Sequence, residues 1–383
     1  MLPNKEKPVP DVVAPRATAR TAAARSSSGA GRPRQPGAVL AGRRATAVPP
    51  AAAPVHANPS IADARPVALP IAAVAAAQPM VPREFGGGPT IDRLWQAAAQ
   101  LPPGGTLLGV SSADGGVGRS TLVAALGGVL ASATAGLVLA VDATCRSWGG
   151  LTERVHDGDR TVWDAVVALA AANGQPHPAS HADADTVLGC TRSSPTGLRA
   201  LVAEPSRTAA RRPPVLRETT TAVERLRPLF AATLLDLPVA DVRPAWEYLA
   251  GVNVPILVAR AGVDSIRHTQ HLLTQLRAAG LDRIADRTVV AVVATAPSPP
   301  SDARALCRQT AGRVGALVQV PYDPHLARAE PIDLRRTRRA TRRALLELAA
   351  ACLARRPTTT GAAMEAATTA NQAAPPESQR RPS

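Results

Sequence analysis

The chain has 383 residues, and its 44 Lys and Arg against 29 Asp and Glu give a formal net charge of +15. This length allows one domain of about 250 residues with flanking tails. No apolar run reaches the roughly 18 to 20 residues of a membrane span, and the polar, proline-broken start is unlike a signal peptide. The four cysteines lie far apart, without a C-x-x-C pair, and indicate reduced thiols rather than disulfides. We therefore expect a soluble cytoplasmic protein.

The positive charge is concentrated in two parts of the chain. Residues 1–90 hold 11 basic and 4 acidic residues, and residues 331–356 hold 8 and 2. Residues 91–330 are nearly balanced, with 23 basic and 21 acidic residues. This asymmetry favours an anionic partner, such as nucleic acid or a membrane surface.

The first 88 residues consist mainly of alanine, proline, arginine and serine, with almost no large apolar side chains. Such a segment buries too little surface to offset the entropy lost on ordering. The sequence therefore predicts a disordered basic arm at 1–88, a folded domain at 89–356 and a disordered polar tail at 357–383. Within the domain, a first helix over 90–100 is expected to dock on the core through Ile91, Leu94 and Trp95.

Beyond residue 105, short apolar strands alternate with helical stretches, which is typical of a parallel sheet with helices on both faces. The predicted strands are 106–111, 137–142, 198–203, 231–237, 254–260, 288–294 and 316–320. The predicted helices are 119–132, 161–172, 215–229, 241–251, 264–279, 301–313 and 333–355. Residues 173–197 are predicted to form a loop, with a short strand at 186–190. The expected architecture is an α/β fold with a mostly parallel central sheet of about seven strands.

A glycine-rich segment, from Ser111 to Thr121, joins the first strand to the helix that follows it. This order is the context of a phosphate-binding loop, in which backbone N–H groups and a helix N-terminus attract an anion. The predicted phosphate-binding residues are Gly115, Gly116, Val117, Gly118, Arg119, Ser120 and Thr121, with the Ser120 hydroxyl on magnesium. Arginine stands where the general pattern has lysine, and a planar guanidinium fits a loop shaped for an ammonium poorly. The alternative is a glycine turn that only connects strand and helix.

Further polar residues stand at the ends of the predicted strands. Asp114, Asp142, Asp236 and Pro321 each follow an apolar run. In open sheets of this kind, ligands bind beyond the carboxyl ends of the strands. This placement agrees with the phosphate-loop interpretation and does not depend on any family resemblance.

In these residues the chain resembles the ParA/MinD family of ATPases, whose deviant Walker A loop reads K-G-G-V-G-K-[ST]-T. Residues 114–121 read D-G-G-V-G-R-S-T. Three further landmarks follow in the family's order. Residues 137–142 resemble the second strand, 232–238 resemble the Walker B strand that ends D-x-P, and 319–327 resemble the loop after the last strand. The resemblance covers about residues 104–355 and implies a P-loop NTPase-like fold.

The resemblance also implies ligands and roles for particular residues. It implies ATP or ADP with Mg²⁺ as ligands, and a homodimer as the form in which the protein acts. It assigns Asp142 and Asp236 to the magnesium ion, held through water, and Pro321, Tyr322 and Asp323 to a loop on the base side. A strand-end aspartate is also a common helix N-cap, which is the alternative role for the first two.

Several positions depart from the family pattern. Asp114 replaces the lysine that reaches the partner's nucleotide, and a carboxylate there repels phosphate. Arg119 replaces the second lysine, and Thr144 replaces an aspartate that helps to orient the attacking water. The asparagine that contacts adenine has no counterpart in 292–296. Because phosphoryl transfer rests on positioning and charge stabilisation, we expect weak or absent hydrolysis, as in a pseudo-ATPase, and assign no catalytic residue.

Two other groups of residues are candidates for binding. Arg335, Arg338, Arg339 and Arg342 share one face of the last predicted helix and suit phosphate contacts along DNA, with a solvated basic face as the alternative. His177, His181, Asp183, Asp185 and Cys190 fit no standard zinc spacing, so the sequence predicts a solvated loop and no structural metal.

The sequence thus favours a ParA/MinD-like nucleotide-binding protein that acts as a switch or scaffold in positioning, partition or assembly of a secretion apparatus. The expected partners are a second copy, non-specific DNA and an unidentified protein, either at the nucleoid or at the cytoplasmic face of a membrane complex. One alternative is an active, DNA-stimulated partition ATPase. Another is a structural adaptor of a secretion or conjugation system that binds no nucleotide.

Overall fold

The structure is a computed structural model that describes residues 80–101, 105–146, 150–155, 161–171, 188–203, 214–241 and 243–356. The predicted tail and most of the predicted arm lie outside these residues, and so do 177–185 of the candidate metal loop. Within the described residues, no helix combines the length and apolar character that crossing a membrane requires.

Eight strands form a single sheet at the centre of the domain. They are β1 (Thr106–Ser111), β2 (Val138–Asp142), β3 (Arg192–Ser193), β4 (Arg199–Leu201), β5 (Ala232–Asp236), β6 (Val254–Arg260), β7 (Val289–Val293) and β8 (Ala316–Val320). Their order across the sheet is β3-β4-β2-β5-β1-β6-β7-β8. Every neighbouring pair is parallel except β3 with β4. The carboxyl ends of the parallel strands therefore meet at one edge.

The described helices connect these strands. They are α1 (Pro89–Ala99), α2 (Arg119–Ala133), α3 (Val162–Ala171), α4 (Leu216–Leu226), α5 (Arg243–Gly251), α6 (Val263–Ala278), α7 (Asp282–Arg287), α8 (Ser301–Ala311) and α9 (Arg339–Ala354). Short 3₁₀ turns lie at Arg83–Phe85, Thr152–Arg154, Arg227–Leu229 and Leu334–Arg336.

Helices cover both faces of the sheet, so the central strands are buried on both sides. Along β1, Leu108 and Val110 pack into a core shared with α1, α2 and α9, whereas Leu107 packs into a second core with α3 to α8. All residues of β1, β2 and β5 are buried. Strands buried on both faces read as continuous apolar runs, which is how the sequence revealed them. The predicted α/β fold with a mostly parallel sheet is confirmed.

The described domain begins before the predicted boundary at residue 89. Phe85 is 1% exposed and packs edge-on against Trp95, with ring centroids 5.0 Å apart. Both rings belong to the core that contains α2 and α9. The described domain therefore includes residues 80–88 of the predicted arm, because one aromatic side chain anchors a segment that is otherwise poor in apolar residues.

Three elements differ from the sequence-based prediction. The predicted strand at 186–190 is a helical turn at 188–190, followed by the short edge strand β3. The six-residue helix α7 was not predicted. The last helix begins at Arg339 rather than at residue 333, because the backbone at Arg338 is extended (ψ 150°) after the 3₁₀ turn. The Thr337 hydroxyl closes that turn by donating to the Leu334 carbonyl at 2.7 Å.

Candidate nucleotide-phosphate site

The glycine-rich segment 114–121, called the phosphate loop below, leaves β1 and enters α2 at Arg119. Gly116 (φ 69°) and Gly118 (φ 94°) adopt the left-handed conformation that favours glycine. A Cβ atom at Gly115 or Gly116 would meet no atom within 4 Å, so the loop backbone is open on its outer side. Val117 is 1% exposed and anchors the loop in the core. The result is an accessible backbone turn at a helix N-terminus, which suits an anion.

The Arg119 side chain turns inward beneath the phosphate loop. Its Nη1 donates to the Ser112 hydroxyl at 3.0 Å, and its Nε lies 3.8 Å from Asp236 Oδ1. The side chain is only 12% exposed. Burial lowers the pKa of Arg119, whereas the charge of Asp236 acts in the opposite direction.

Ser120, on the first turn of α2, donates its hydroxyl to Asp236 Oδ2 at 2.5 Å. Asp236 is the last residue of β5 and is fully buried. Gly150 packs against Ser120, since a Cβ atom at Gly150 would lie 2.8 Å from the serine Oγ. The structure thus joins the phosphate loop to the end of the predicted Walker B strand.

Asp142 ends β2, the strand next to β5, and its Cα pairs in register with that of Asp236. It is 4% exposed, and its Oδ1 accepts from the Thr144 amide at 3.0 Å and the Thr144 hydroxyl at 2.6 Å. Thr144 therefore uses its hydroxyl to orient Asp142. In the following, Asp142 and Asp236 are called the carboxylate pair.

The carboxylate pair is electrostatically strained. Burial and, to a smaller extent, the charge of Asp142 raise the pKa of Asp236 to about 7, against the opposite effects of the Ser120 hydrogen bond and the Arg119 charge. Burial also raises the pKa of Asp142, against the hydrogen bonds from Thr144. Two adjacent buried carboxyl groups resist simultaneous ionisation unless a cation compensates their charge.

The residues present fit a divalent cation. Asp142 Oδ2 and Asp236 Oδ1 are buried and have no hydrogen-bond partner, which leaves two carboxylate oxygens free to hold a metal-bound water or the metal itself. The Ser120 hydroxyl contacts the same carboxyl group. Among the described residues, at this site as elsewhere, His, Cys, Asp and Glu form no group of three or more that suits a metal, so two carboxyl groups and the Ser120 hydroxyl are the candidate ligands here.

Asp114 does not project freely from the phosphate loop. Its Oδ2 accepts the Ser265 hydroxyl at 2.7 Å, and its Oδ1 lies 2.6 Å from His268 Nδ1. Both partners belong to α6, and Ser265 also accepts from the Arg260 amide at 3.1 Å. The side chain of Asp114, the first residue of the phosphate loop, is thus held by its contacts with α6.

Arg154 connects the first turn of α2 to the segment that follows β8. Its Nε donates to the Thr121 hydroxyl at 3.0 Å and its Nη1 donates to the Arg328 carbonyl at 2.5 Å. The Arg154 carbonyl accepts from the Ile332 amide at 3.0 Å. Arg154 therefore supports the C-terminal end of the phosphate loop, whereas Asp114 is held at the N-terminal end.

The predicted base-side loop begins with Pro321 and Tyr322, which are half-buried. Asp323 is 3% exposed, and its carboxylate accepts the amides of His325 at 2.9 Å and Arg338 at 2.7 Å. Burial alone would raise the pKa of Asp323, but these hydrogen bonds outweigh it and lower the pKa. Asp323 holds the loop to the start of α9, and its contact with a base stays a prediction.

The predicted nucleic-acid contacts do not share one helical face, because α9 starts only at Arg339. Arg335 lies on the preceding 3₁₀ turn, 3.8 Å from Glu84, and Arg338 is the N-cap residue. Arg342 is half-buried and donates to the carbonyls of Leu334 and Thr337. The exposed arginines of this region are Arg335, Arg336, Arg338, Arg339 and Arg343.

Sequence reasoning missed four of the residues that shape the site. Ser112, Ser265, His268 and Arg154 contact the phosphate loop or its side chains. Ser112 lies within the glycine-rich segment, two residues before the phosphate loop, and was within reach of the sequence pattern. The other three come from distant segments, and no local pattern identifies them.

Comparison with known proteins gives partial similarities. No protein-family model matches the chain. It is 27% identical over 255 residues to the ESX-1 secretion-associated protein EspI of Mycobacterium tuberculosis, a match that covers 65% of this chain and 36% of EspI. The chain thus matches little more than a third of that protein's length.

Solved structures with similarity to this chain come from proteins of several kinds. One is the MinC:MinD cell division protein complex of Aquifex aeolicus, with a TM-score of 0.45 and 18% identity over 63% of this chain and 95% of that chain. A second is a ParA family ATPase from Chlorobium tepidum, with a TM-score of 0.46 and 13% identity over 64% and 93%. A third is a cobyrinic acid a,c-diamide synthase from Mycobacterium smegmatis, with a TM-score of 0.41 and 16% identity over 64% and 92%.

The chain's own topology carries the assignment of the fold. Its parallel sheet places the glycine loop between the central strand β1 and α2, and β5 and β2 follow on one side of β1. Both of these strands end in a buried aspartate. Asp236 accepts the hydroxyl of Ser120, and Asp142 is paired in register with Asp236. With these features, the chain has an α/β fold with a mostly parallel sheet and a glycine loop between its central strand and α2, as its sequence predicts.

Proposed function

We propose that the chain is a nucleotide-binding protein that takes ATP or ADP with Mg²⁺, hydrolyses ATP slowly or not at all, and acts as a switch or scaffold. The observation that supports this proposal best is the open phosphate loop above the carboxylate pair. The loop offers backbone N–H groups to phosphates. The unpartnered oxygens of Asp142 and Asp236 offer ligands for a cation that neutralises them.

Weak hydrolysis follows from what surrounds the phosphate loop. Asp114 brings negative charge where the resemblance places a lysine, and its bonds to Ser265 and His268 hold it there. Thr144 donates its hydroxyl to Asp142, so it does not accept a proton from water as an aspartate would. Removing preorganised charge from a phosphoryl-transfer site typically lowers the rate by about a hundredfold or more.

The sequence suggests positioning, partition or assembly of a secretion apparatus as the process, and we favour the last of these. The reason is the 27% identity over 255 residues to a secretion-associated protein. In this proposal the nucleotide state sets the conformation of the loop, and an unidentified protein partner reads it. DNA and a second copy of the chain remain alternative targets, for which the exposed arginines near the start of α9 provide positive charge.

The test is calorimetric titration of the full chain with ATP and ADP, with and without Mg²⁺. We expect binding in the micromolar range that Gly118→Val abolishes, together with little phosphate release. Magnesium-dependent hydrolysis that DNA stimulates would instead establish an active partition ATPase. No binding at millimolar nucleotide by a folded protein would reject the proposal and leave a structural adaptor.

A further inference from the structure

The guanidinium of Arg119 occupies a position that a divalent cation would also favour. Its Nε lies 3.8 Å from Asp236 Oδ1, an oxygen that accepts no hydrogen bond. Its Nη1 is fixed by the Ser112 hydroxyl at 3.0 Å. Because the side chain is only 12% exposed, water screens this interaction weakly.

The surroundings of Arg119 explain why a positive charge is held there. Asp236 is fully buried, and Asp142 stands beside it in register on the next strand. Each of the two carboxyl groups has one oxygen without a hydrogen-bond partner. An uncompensated pair of buried carboxylates destabilises the fold, and a nearby cation removes much of that destabilisation.

We propose that Arg119 is a built-in counter-ion of the carboxylate pair, and that it competes with a divalent cation for Asp236. A guanidinium and a metal ion that both lay next to Asp236 would repel each other, so only one of them compensates the charge of Asp236 at a time. The inference rests on the proposed nucleotide site, but it concerns the state of that site before any nucleotide binds.

Competition of this kind couples the binding of nucleotide to the binding of the metal ion. Phosphates in the phosphate loop offer Arg119 a bidentate partner outside the carboxylate pair. When Arg119 turns toward them, Asp236 Oδ1 becomes available to the cation. The chain would then bind a divalent cation well only together with a phosphate ligand, since a cation alone leaves Arg119 on Asp236.

The experiment is an electron paramagnetic resonance titration of the full chain with Mn²⁺, in the absence of nucleotide. We expect negligible binding by the unaltered chain and at least about tenfold tighter binding by Arg119→Gln, because the competing charge is gone. Arg119→Lys keeps the charge and should bind Mn²⁺ as weakly as the unaltered chain. Arg119→Gln combined with Asp236→Asn should lose the gain.

Two further variants complete the design. Arg277→Gln removes a half-buried arginine that pairs with Asp286 and contacts neither Arg119 nor the carboxylate pair, so it should leave Mn²⁺ binding unchanged. Ser112→Ala removes the second contact of Arg119 and should tighten Mn²⁺ binding by about two- to threefold. Ser112→Ala also provides a measurement if Arg119→Gln does not fold.

Three outcomes would overturn the inference. They are tight Mn²⁺ binding by the unaltered chain, no gain in folded Arg119→Gln and Ser112→Ala, and an equal gain in Arg119→Lys and Arg119→Gln. Failure of the nucleotide titration described above would reject the proposed function alone, because the Mn²⁺ titration contains no nucleotide.

Discussion

Asp142 and Asp236 end adjacent parallel strands with their Cα atoms paired in register, and both side chains are buried. The pKa of Asp236 is raised to about 7, first by burial and then by Asp142. An unfolded aspartate has a pKa near 3.9, so between about pH 4 and pH 7 the folded chain keeps a proton that the unfolded chain has lost. This carboxyl group therefore favours the folded state at low pH, and its contribution is lost as the pH rises toward 7.

Replacing Asp236 with Asn should remove this pH dependence. In buffer with a metal chelator at pH 8, Asp236→Asn should unfold at a higher urea concentration than the unaltered chain. Its free energy of unfolding should be larger by up to about 4 kcal/mol. The difference should shrink as the pH falls toward 4, because Asp236 is then protonated in the folded chain and about half protonated in the unfolded chain. The measurement is urea unfolding followed by circular dichroism from pH 4 to pH 8. A difference that grows with falling pH would contradict the assigned shift.

Gly118 should be the most sensitive position of the phosphate loop. Its φ of 94° is one that a β-branched residue rarely adopts, so Gly118→Val should lower the free energy of unfolding by at least about 1–2 kcal/mol. Gly312→Ala is the matched control, because its φ is −76° and the nearest atom to an added Cβ is 4.0 Å away. Urea unfolding of both variants checks this, and equal stabilities would show that the loop relaxes without strain.

The contacts of Asp114 with α6 should stabilise the domain. Asp114→Ala removes the acceptor of the Ser265 hydroxyl and the partner of His268, and should cost about 1–2 kcal/mol of unfolding free energy at pH 7. The control is Glu347→Ala, which breaks the exposed pair with Arg343 and should cost only about 0.3–0.5 kcal/mol. If both variants lose the same small amount, Asp114 is not fixed to α6 in solution.

The four cysteines should react slowly in the folded chain. Burial, with smaller contributions from Asp142 and Glu218, raises the pKa of Cys145 to about 11. The pKa of the fully buried Cys352 is raised to about 12, and Cys190 and Cys307 are buried as well. Because only the thiolate reacts, Cys145 should be labelled by a disulfide reagent at pH 8 roughly a hundredfold more slowly than an ordinary thiol. Labelling of the native chain should remain slow until guanidinium chloride is added, and one fast thiol would contradict this.

The sequence predicted the parts of the fold that depend on local pattern. All seven predicted strands are present, because strands buried on both faces form unbroken apolar runs. The two-residue strand β3 and the six-residue helix α7 are too short to show a hydrophobic period. Phe85 was missed because its neighbours are glycine and charged residues, and only Trp95, ten positions later, makes it a core residue.

The sequence predicted the backbone of the candidate site better than the contacts of its charged side chains. The glycine pattern and the strand-end aspartates place the phosphate loop, Asp142 and Asp236 at one edge of the sheet. No pattern in the sequence indicates that Asp114 bonds to residues about 150 positions away, or that Arg119 turns toward Asp236. Those contacts depend on how α6 and β5 pack beside the loop.

The pairing of Glu84 with Arg335 has a consequence for any polyanion that the chain meets. It places the start of the described domain beside the exposed arginines that precede α9, and the strongly basic first 79 residues are joined covalently at that point. A polyanion that binds these arginines would compete with Glu84 for Arg335, so it would weaken one of the contacts that hold the segment before α1.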